Sequence, residues 1–314
     1  MRVFVAGATG VIGQRLLPLL ALKGHEVIGL ARSDDAATAV KGLGAEVARA
    51  DALDSGVLAR VVKDAAPDAV VHLLTAIPAK INPRRMRHDF ARTNRLRTEG
   101  TRNLLYAAQE AGTKRVITQG LACIYDPHRW VPATEATPWW RNPPSQFAPV
   151  LAALRELEAR TKRADGLVLR LGQLYGPGTM FAPNGSFVRQ VQSGKMPLVG
   201  SGFGTFSFLH VDDAAAAIAA ALDSTATGAL NIVDDDPAPV REWLPILAEL
   251  LEAPAPRQVP VALARLTAGG WGVAYMTQLR GAYNMRARYT LDWRPQYVSW
   301  RQGFAAELTR AAQR

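Results

Sequence analysis

The chain has 314 residues, 48% of them hydrophobic, a net charge of +10 and a single cysteine. This length supports one large domain or two coupled ones, and one cysteine excludes an internal disulfide, which favours a cytoplasmic location. The sequence shows no nucleic-acid-binding module. It also shows no membrane span, since its apolar stretch Val261–Met276 is short and is interrupted by Arg265.

Short apolar runs alternate with helical patterns along the first half of the chain. Runs of this kind, bounded by glycine, proline or charged residues, predict buried strands. The predicted strands are Arg2–Gly7, His25–Arg32, Ala45–Asp51, Pro67–Thr75, Lys114–Gly120 and Gly166–Gly176. Because helices such as Asn94–Gly112 separate strands that are apolar throughout, we expect a Rossmann-type α/β fold, a doubly wound parallel sheet with helices on both faces.

Arginine is concentrated in one segment, PRRMRHDFARTNRLR, from Pro83 to Arg97. A basic run of this kind is usually a solvated face, and we predict that here. The positive charge would still attract anionic cofactors or substrates.

After Gly176 the chain changes to a segment rich in glycine, proline and aromatic residues, and ordered patterns return at Leu209–Leu222 and in GALNIVDDD. We predict that residues 1–176 form a dinucleotide-binding domain to which 206–236 returns. Segments 177–205 and 237–314 are predicted to form mainly a smaller, discontinuous C-terminal substrate domain over the carboxyl edge of the sheet.

A glycine motif, GATGVIG, lies between the first strand and the first helix. Gly7 and Gly10 permit tight turns close to a pyrophosphate, and Gly13 permits close packing of helix on strand. The N-terminus of the helix then offers free N–H groups to phosphates. The predicted phosphate-binding residues are Gly7, Thr9, Gly10, Val11, Ile12 and Gly13.

The end of the second strand selects between nicotinamide cofactors. An NAD site usually has a carboxylate there for the ribose 2′-hydroxyl, but this chain has Arg32 and Ser33, and a guanidinium suits a 2′-phosphate. Asp34 and Asp35 follow, and we place them in a loop. The sequence therefore predicts NADP(H), the alternative being that Arg32 is an ordinary surface residue.

Several motifs in this order resemble the extended short-chain dehydrogenase/reductase superfamily: GATGVIG, ADALD, VVHLLT, NLLYAA, LRLGQLYGPG and HVDDAAAAI. The resemblance covers most of the chain and implies a nicotinamide-dependent oxidoreductase. It implies adenine contacts from Asp51 and Ala52, and an asparagine near the site at Asn94. The further cofactor contacts that it implies are Leu73, Leu74 and Thr75, with Gln119, Leu171 and Gln173 near the nicotinamide.

The catalytic triad of that superfamily, serine, tyrosine and lysine, is missing. A tyrosine needs a nearby cation to act as a base at neutral pH, which is why tyrosine and lysine occur together. In QFAPVLAALRELE the tyrosine position is Phe147, Ala148 or Val150, depending on register, and the lysine position is Leu151, Ala152 or Leu154. The serine region reads Gly120 and Leu121. Tyr125 is the alternative acid.

The other reactive side chains are interpreted as structural. Cys123 is expected to be a small buried residue rather than a nucleophile, and His72 a core histidine with its hydrogen bonds satisfied. His210, with Asp212 and Asp213, matches a structural turn of the superfamily. We predict no metal site, because no second group of ligands has suitable spacing.

The predicted substrate is apolar. Superfamily members that act on nucleotide sugars usually carry an arginine before HVDD, where this chain has Phe206. The predicted substrate contacts are Leu121, Phe147, Tyr175 and Phe206. We expect an NADPH-dependent ketoreductase for a polycyclic aromatic, polyketide-type ketone. The hydroxyl group of this substrate would stabilise the alkoxide in place of the missing catalytic acid. In losing the triad, the chain resembles atypical reductases of antibiotic pathways, such as the angucyclinone ketoreductase of simocyclinone biosynthesis.

Two other functions stay open: a redox-sensing regulator that binds NADP without catalysis, and a non-redox isomerase or lyase. The protein is expected to be a monomer or a homodimer, in the latter case paired through Asn94–Gly112 and Leu151–Arg163.

Overall fold

Seven parallel strands form the central sheet of the computed structural model, which describes residues 1–128 and 131–312. The strands inside and outside this sheet are, in chain order, β1 (Arg2–Ala6), β2 (Glu26–Ala31), β3 (Glu46–Arg49), β4 (Ala69–His72), β5 (Arg115–Leu121), β6 (Leu167–Leu171), β7 (Gln173–Tyr175), β8 (Leu198–Val199), β9 (Thr205–Phe206), β10 (Phe208–His210), β11 (Gly228–Ile232), β12 (Ala238–Pro239) and β13 (Gln258–Val259). The sheet has the order β11-β6-β5-β4-β1-β2-β3, so the direction of winding reverses between β1 and β4. This confirms the predicted Rossmann-type α/β fold.

Helices cover both faces of the sheet. They are α1 (Gly13–Leu22), α2 (Asp34–Gly42), α3 (Ser55–Ala65), α4 (Met86–Asp89), α5 (Ala91–Arg95), α6 (Thr101–Glu110), α7 (Ala148–Arg163), α8 (Ser186–Gln192), α9 (Val211–Leu222), α10 (Val240–Leu250), α11 (Val261–Thr277), α12 (Met285–Leu291) and α13 (Trp300–Ala312). Side chains alternate across β1: Val3 and Val5 pack in one apolar cluster, with α1 and α9, and Phe4 packs in another, with α3 and α6. This alternation with no polar face explains why the strand is apolar throughout.

Two predicted elements are divided in the structure. The predicted strand Gly166–Gly176 breaks at Gly172, where a Cβ atom would lie 2.6 Å from the Ser207 carbonyl oxygen. Because β10 approaches this closely, β7 leaves the main sheet and pairs with β10. The predicted helix Asn94–Gly112 contains a five-residue π-helix, Leu96–Gly100, between α5 and α6.

The second half of the chain contributes to the sheet and to a separate apolar cluster. β11, within 206–236, pairs with β6 at the edge of the sheet. Short pairs, β8 with β13 and β9 with β12, connect the residues around 198–206 to those after 237. The domain boundaries themselves stay a prediction, and residues 313–314 of the last segment lie outside the described residues. In the part of the chain described, no helix has the length and apolar character needed to cross a bilayer.

A buried histidine ends β4. His72 is 2% exposed, its Nε2 lies 2.9 Å from Thr101 Oγ1, and its Nδ1 accepts from the Leu74 N–H. Thr101 donates its own proton to the Arg97 carbonyl, so His72 Nε2 is the donor and the ring is neutral. Burial lowers the pKa of His72 to about 4. His72 is therefore the satisfied core histidine that the sequence predicts.

This histidine should make the fold acid-sensitive. Between about pH 6.5 and pH 4 the unfolded chain binds a proton at this position and the folded chain does not, so the free energy of unfolding falls as pH falls. The loss by about pH 5 should be about 2 kcal/mol. His72→Asn keeps an acceptor for Leu74 and cannot titrate, and in urea unfolding it should remove most of this slope. His88→Asn, at an exposed imidazole, should leave the slope unchanged; an identical slope in both variants would contradict the assignment.

Candidate functional site

The glycine loop after β1 has the geometry that a bound pyrophosphate needs. Gly7 has φ +101°, and a Cβ there would lie 2.8 Å from the Leu73 carbonyl carbon. A Cβ on Gly13 would lie 2.3 Å from the Ala8 carbonyl oxygen, so α1 packs directly on the loop. Gly10 is exposed, and a Cβ there would meet only the Gly7 carbonyl oxygen, at 3.2 Å. The loop is therefore tight towards the protein and open on its outer side.

The N-terminus of α1 can accept an anion. Its N-cap, Ile12, makes no side-chain capping bond, and its first turn holds no acidic residue. Within residues 1–128 and 131–312 no acceptor is found for the N–H groups of Val11 and Ile12. Thr9 is half-buried, and its carbonyl accepts from the Gln14 side chain. The six predicted phosphate-binding residues therefore form one loop at the switch between β1 and β4, where doubly wound sheets bind nucleotides.

The end of β2 carries an exposed arginine. Arg32 forms no ion pair with a described residue, whereas Ser33 caps α2 by accepting from the Ala36 N–H at 3.3 Å. The sequence interpretation placed Asp34 and Asp35 in a loop, and this is wrong: they form the first turn of α2, where the helix dipole stabilises them. Asp34 is also paired with Arg49 at 3.0 Å. Arg32 is therefore exposed at the end of β2 with no ion pair to a described residue.

The predicted adenine contacts lie beyond β3. Asp51 Oδ1 accepts from the Leu53 N–H at 3.0 Å, and Oδ2 lies 3.6 Å from Arg92. Ala52 is buried, and its carbonyl accepts from Asn103. The neighbouring β4 end runs outward from buried Leu73 through half-buried Leu74 to exposed Thr75. These residues follow the same carboxyl edge as the glycine loop.

A small pocket, with a cavity volume of about 20 Å³, lies beyond the carboxyl ends of β5 and β6. It is lined by Ala122, Cys123, Gly172, Gln173, Thr205, Phe206, Ser207, Leu279 and Gly281. The structure thus brings together two predicted site residues, Gln173 and Phe206, and the segment directly after Leu121. Gln119 and Leu171 lie on the two strands that end there.

Sequence reasoning missed the polar residues Thr205 and Ser207 in the lining of this pocket and a tyrosine that contacts its lining. The Tyr275 hydroxyl, on α11, donates to Gln173 Oε1 at 3.0 Å. Its ring packs edge-on against Phe206, with centroids 4.7 Å apart, and burial raises the pKa of the phenol. The only signal in the sequence was the aromatic content of the last segment, because Tyr275 reaches the pocket by folding across 102 residues.

The face of α7 that replaces the catalytic tyrosine and lysine is apolar and buried. Phe147, Val150, Leu151 and Leu154 are each at most 3% exposed and belong to one apolar cluster. The Phe147 ring stacks on Trp271, with centroids 3.9 Å apart. Two of the three registers considered for the missing pair therefore lead to buried, packed side chains, and the third leads to Ala148, which is half-buried, and Ala152, which is exposed; none supplies a group that transfers a proton.

Two other tyrosines have structural surroundings. Tyr125 donates to Asn231, accepts from Arg170 at 2.9 Å, and has a pKa raised to about 12 by burial. Tyr175, a predicted substrate contact, is fully buried against Phe208, His210 and Phe304, and does not line the pocket.

The remaining reactive side chains have structural surroundings, although Cys123 is half-buried by its accessible surface and not fully buried as predicted. Burial raises the pKa of the Cys123 thiol to about 11, so it is a poor nucleophile at neutral pH. His210 caps α9 by accepting from the Asp212 N–H, and Asp213 accepts from the N–H groups of Gln296 and Tyr297. In the described residues no three side chains of metal-binding type lie together.

Asn94 and Arg97 depart from the predicted solvated face of the basic segment. Asn94 is half-buried, its Oδ1 has no hydrogen-bond partner among the described residues, and Arg97 is 2% exposed. The prediction of a solvated face is wrong for Arg97, because the π-helix packs against α7 rather than facing solvent.

Comparisons with known proteins identify the family and the relatives of this chain. Residues 3–233 match the NAD dependent epimerase/dehydratase family. The chain is 45% identical over 314 residues to 3-diazoavenalumate denitrifying reductase of a Streptomyces species, covering 98% of this chain and 100% of the relative. It is 26% identical over 291 residues to 2-alkyl-3-oxoalkanoate reductase of Stenotrophomonas maltophilia, covering 85% of this chain and 80% of the relative.

Among solved structures, UDP-glucose 4-epimerase of Thermotoga maritima superposes with a TM-score of 0.78 at 20% identity, covering 100% of this chain and 99% of the epimerase. This likeness shows a shared fold. The family match spans most of the sequence and includes the glycine loop, β5 and β11. The chain therefore belongs to the NAD-dependent epimerase/dehydratase family, the extended short-chain dehydrogenases/reductases.

Proposed function

We propose that this protein is an NADPH-dependent reductase that replaces the diazo group of an aromatic substrate with hydrogen and releases dinitrogen. The observation that carries the proposal is the buried, apolar face of α7 beside the nucleotide-binding edge. A relative of 45% identity over the whole chain is named as a denitrifying reductase of a diazo compound, which supports it.

The chemistry of a diazo group explains why no catalytic acid is needed. Reduction of a ketone produces an alkoxide, which an acid must protonate. A diazonium carbon instead accepts a hydride directly: one carbon–hydrogen bond forms, the carbon–nitrogen bond breaks, and dinitrogen leaves with the electron pair of that bond. The charges balance without a proton. Buried apolar side chains such as Val150 and Leu154, in place of the tyrosine and lysine, are then compatible with turnover.

The residues present fit a dinucleotide. Gly7, Gly10 and Gly13 shape the loop, the N–H groups of Val11 and Ile12 suit its phosphates, and Arg32 suits a 2′-phosphate. The bound nicotinamide supplies the hydride, and what this chain adds is positioning of the two partners.

The apolar part of the lining favours a largely apolar ligand, which would have to widen this small cavity to bind. Phe206 and Leu279 are buried side chains of its wall, and Gln173 and Tyr275 supply polar groups that can orient a ligand. Exclusion of water protects a reactive diazo compound from hydrolysis. The high pKa of Tyr275 keeps its hydroxyl protonated, so it acts as a hydrogen-bond donor rather than as a base.

Reduction of an aromatic ketone is the second candidate. The Tyr275 hydroxyl favours it, because this group could donate to a developing alkoxide. A relative named as an oxoalkanoate reductase is consistent with such a reaction. In this alternative the internal hydrogen bond of a hydroxyketone substrate, as in polyketides, would assist Tyr275.

Turnover assays separate these functions. Incubation with NADPH and the diazonium salt made from 3-amino-4-hydroxybenzoate should consume reduced cofactor and release dinitrogen in equal amounts. Hydroxyanthraquinones serve as the ketone panel, and heat-denatured protein controls for spontaneous decay. Consumption of NADPH with the ketones alone would replace the diazo proposal by ketone reduction. Tight NADPH binding without turnover of either class would favour a redox-sensing regulator.

Arg32 should determine the choice of cofactor. Arg32→Ala removes a charge-assisted contact to the 2′-phosphate, and we expect roughly tenfold weaker NADPH binding with little change for NADH. Titration of both cofactors by intrinsic fluorescence measures this. Arg60→Ala, on an exposed position of α3, is the control and should change neither affinity. Equal weakening of NADPH and NADH by Arg32→Ala would exclude recognition of the 2′-phosphate by this residue.

A further inference from the structure

A buried arginine that has no hydrogen-bond or ion-pair partner for its guanidinium among the described residues lies in the helical segment at the carboxyl end of β4. Arg97, on the π-helix Leu96–Gly100, is 2% exposed. Its Nη1 atom has no hydrogen-bond partner, and its guanidinium forms no ion pair with any described residue. π-helical turns of this kind occur frequently at functional sites.

The isolation of Arg97 is unusual, because burying an unpaired charge is unfavourable. The other buried arginine of the sheet region, Arg170, is held by Glu158 at 2.7 and 2.8 Å and by the Tyr125 hydroxyl. Arg115, which is half-buried, donates to the carbonyls of Ala221 and Ala226. Burial lowers the pKa of Arg97 only to about 10, so it is a cation at neutral pH. A buried cation that the fold leaves unpaired is suited to an anion that comes from outside the chain.

The position of Arg97 relates it to the pocket. Two hydrogen bonds place this helical segment at the carboxyl end of β4: Thr93 Oγ1, four residues before Arg97, accepts from the Ala76 N–H at 3.0 Å, and Thr101 Oγ1, four residues after it, lies 2.9 Å from His72 Nε2. The charge of Arg97 also lowers the pKa of the Cys123 thiol, although burial raises that pKa more. Cys123 lines the pocket that also holds Gln173 and Phe206. Asn94, three residues before Arg97, has a buried and unpartnered Oδ1. An unused cationic donor and an unused acceptor thus come from one helical segment beside the substrate pocket.

We propose that Arg97 binds the carboxylate of the substrate and makes this protein selective for aromatic acids. The assignment rests on the proposed function and narrows its substrate class, from aromatic compounds in general to anionic ones. A carboxylate accepts the two N–H groups of a guanidinium in bidentate geometry, and the low local dielectric strengthens this pair. Arg97 would then be a specificity-determining residue, because a neutral analogue leaves the buried charge unpaired.

Binding of an unreactive probe tests the site separately from the reaction. 4-Hydroxycinnamate carries a carboxylate but no diazo group or ketone, and its primary amide is the neutral match. With the protein saturated with NADP⁺, calorimetry should show that the wild type prefers the acid to the amide roughly ten- to hundredfold. Arg97→Met should bind both probes equally, and Arg97→Lys should keep part of the preference.

Two controls make the result specific. Arg95→Met removes a nearby exposed arginine that pairs with Glu99, and it should keep the full preference for the acid. Arg97→Met should keep its affinity for NADPH, and thermal unfolding should show that it is folded.

Three results would overturn the proposal: a wild type that fails to bind the acid better than the amide, a preference that persists in Arg97→Met, or loss of NADPH binding in that variant. None of these depends on diazo reduction. Failure of the turnover assay with this preference intact would therefore reject the proposed reaction and keep the carboxylate site.

Discussion

The packing of α7 against the apolar cluster is the constraint on which the proposed chemistry depends. Val150 and Leu154 are completely buried, and Phe147 is fixed against Trp271. A tyrosine and lysine in their place would introduce polar groups that this cluster cannot hydrogen-bond. The fold therefore keeps the nucleotide-binding edge of the family and gives up the phenol–ammonium pair that protonates a product. The proposed substrate fits a site without this pair, because its reduction needs no acid from the protein.

Two polar features near the pocket matter for how a ligand would bind, namely one hydrogen bond and one buried cation. The Tyr275–Gln173 hydrogen bond fixes one polar position, and Arg97 provides a cation with no carboxylate of its own. Cys123 and His72, which lie near Arg97, both have pKa values shifted by burial towards their neutral forms. Because Arg97 has no ion-pair partner among the described residues, its charge is available to a ligand, and the proposed anionic substrate suits it.

Local signals in the sequence predicted the sheet and the glycine loop, because strand burial and the spacing of Gly7, Gly10 and Gly13 are properties of short segments. Features that depend on contacts between residues far apart in the sequence could not be predicted from such short segments. The break at Gly172 depends on Ser207, and the strand β11 is identified by its pairing with β6. Arg97 belongs to an arginine-rich segment that is polar by composition, and only the packing of the π-helix shows that it is buried. Tyr275 reaches the lining of the pocket through its hydrogen bond to Gln173, which lies 102 residues earlier in the chain.

The destination of the hydride tests the central claim most directly. Reduction of the diazo substrate with NADPH deuterated at C4 of the nicotinamide, on the transferred face, should place deuterium on the carbon that loses nitrogen, as measured by mass spectrometry and NMR. The same reaction with unlabelled NADPH in D₂O should leave that carbon without deuterium. Deuterium taken from the solvent at that carbon would show that a proton donor completes the reaction, and would contradict direct hydride replacement in an acid-free site.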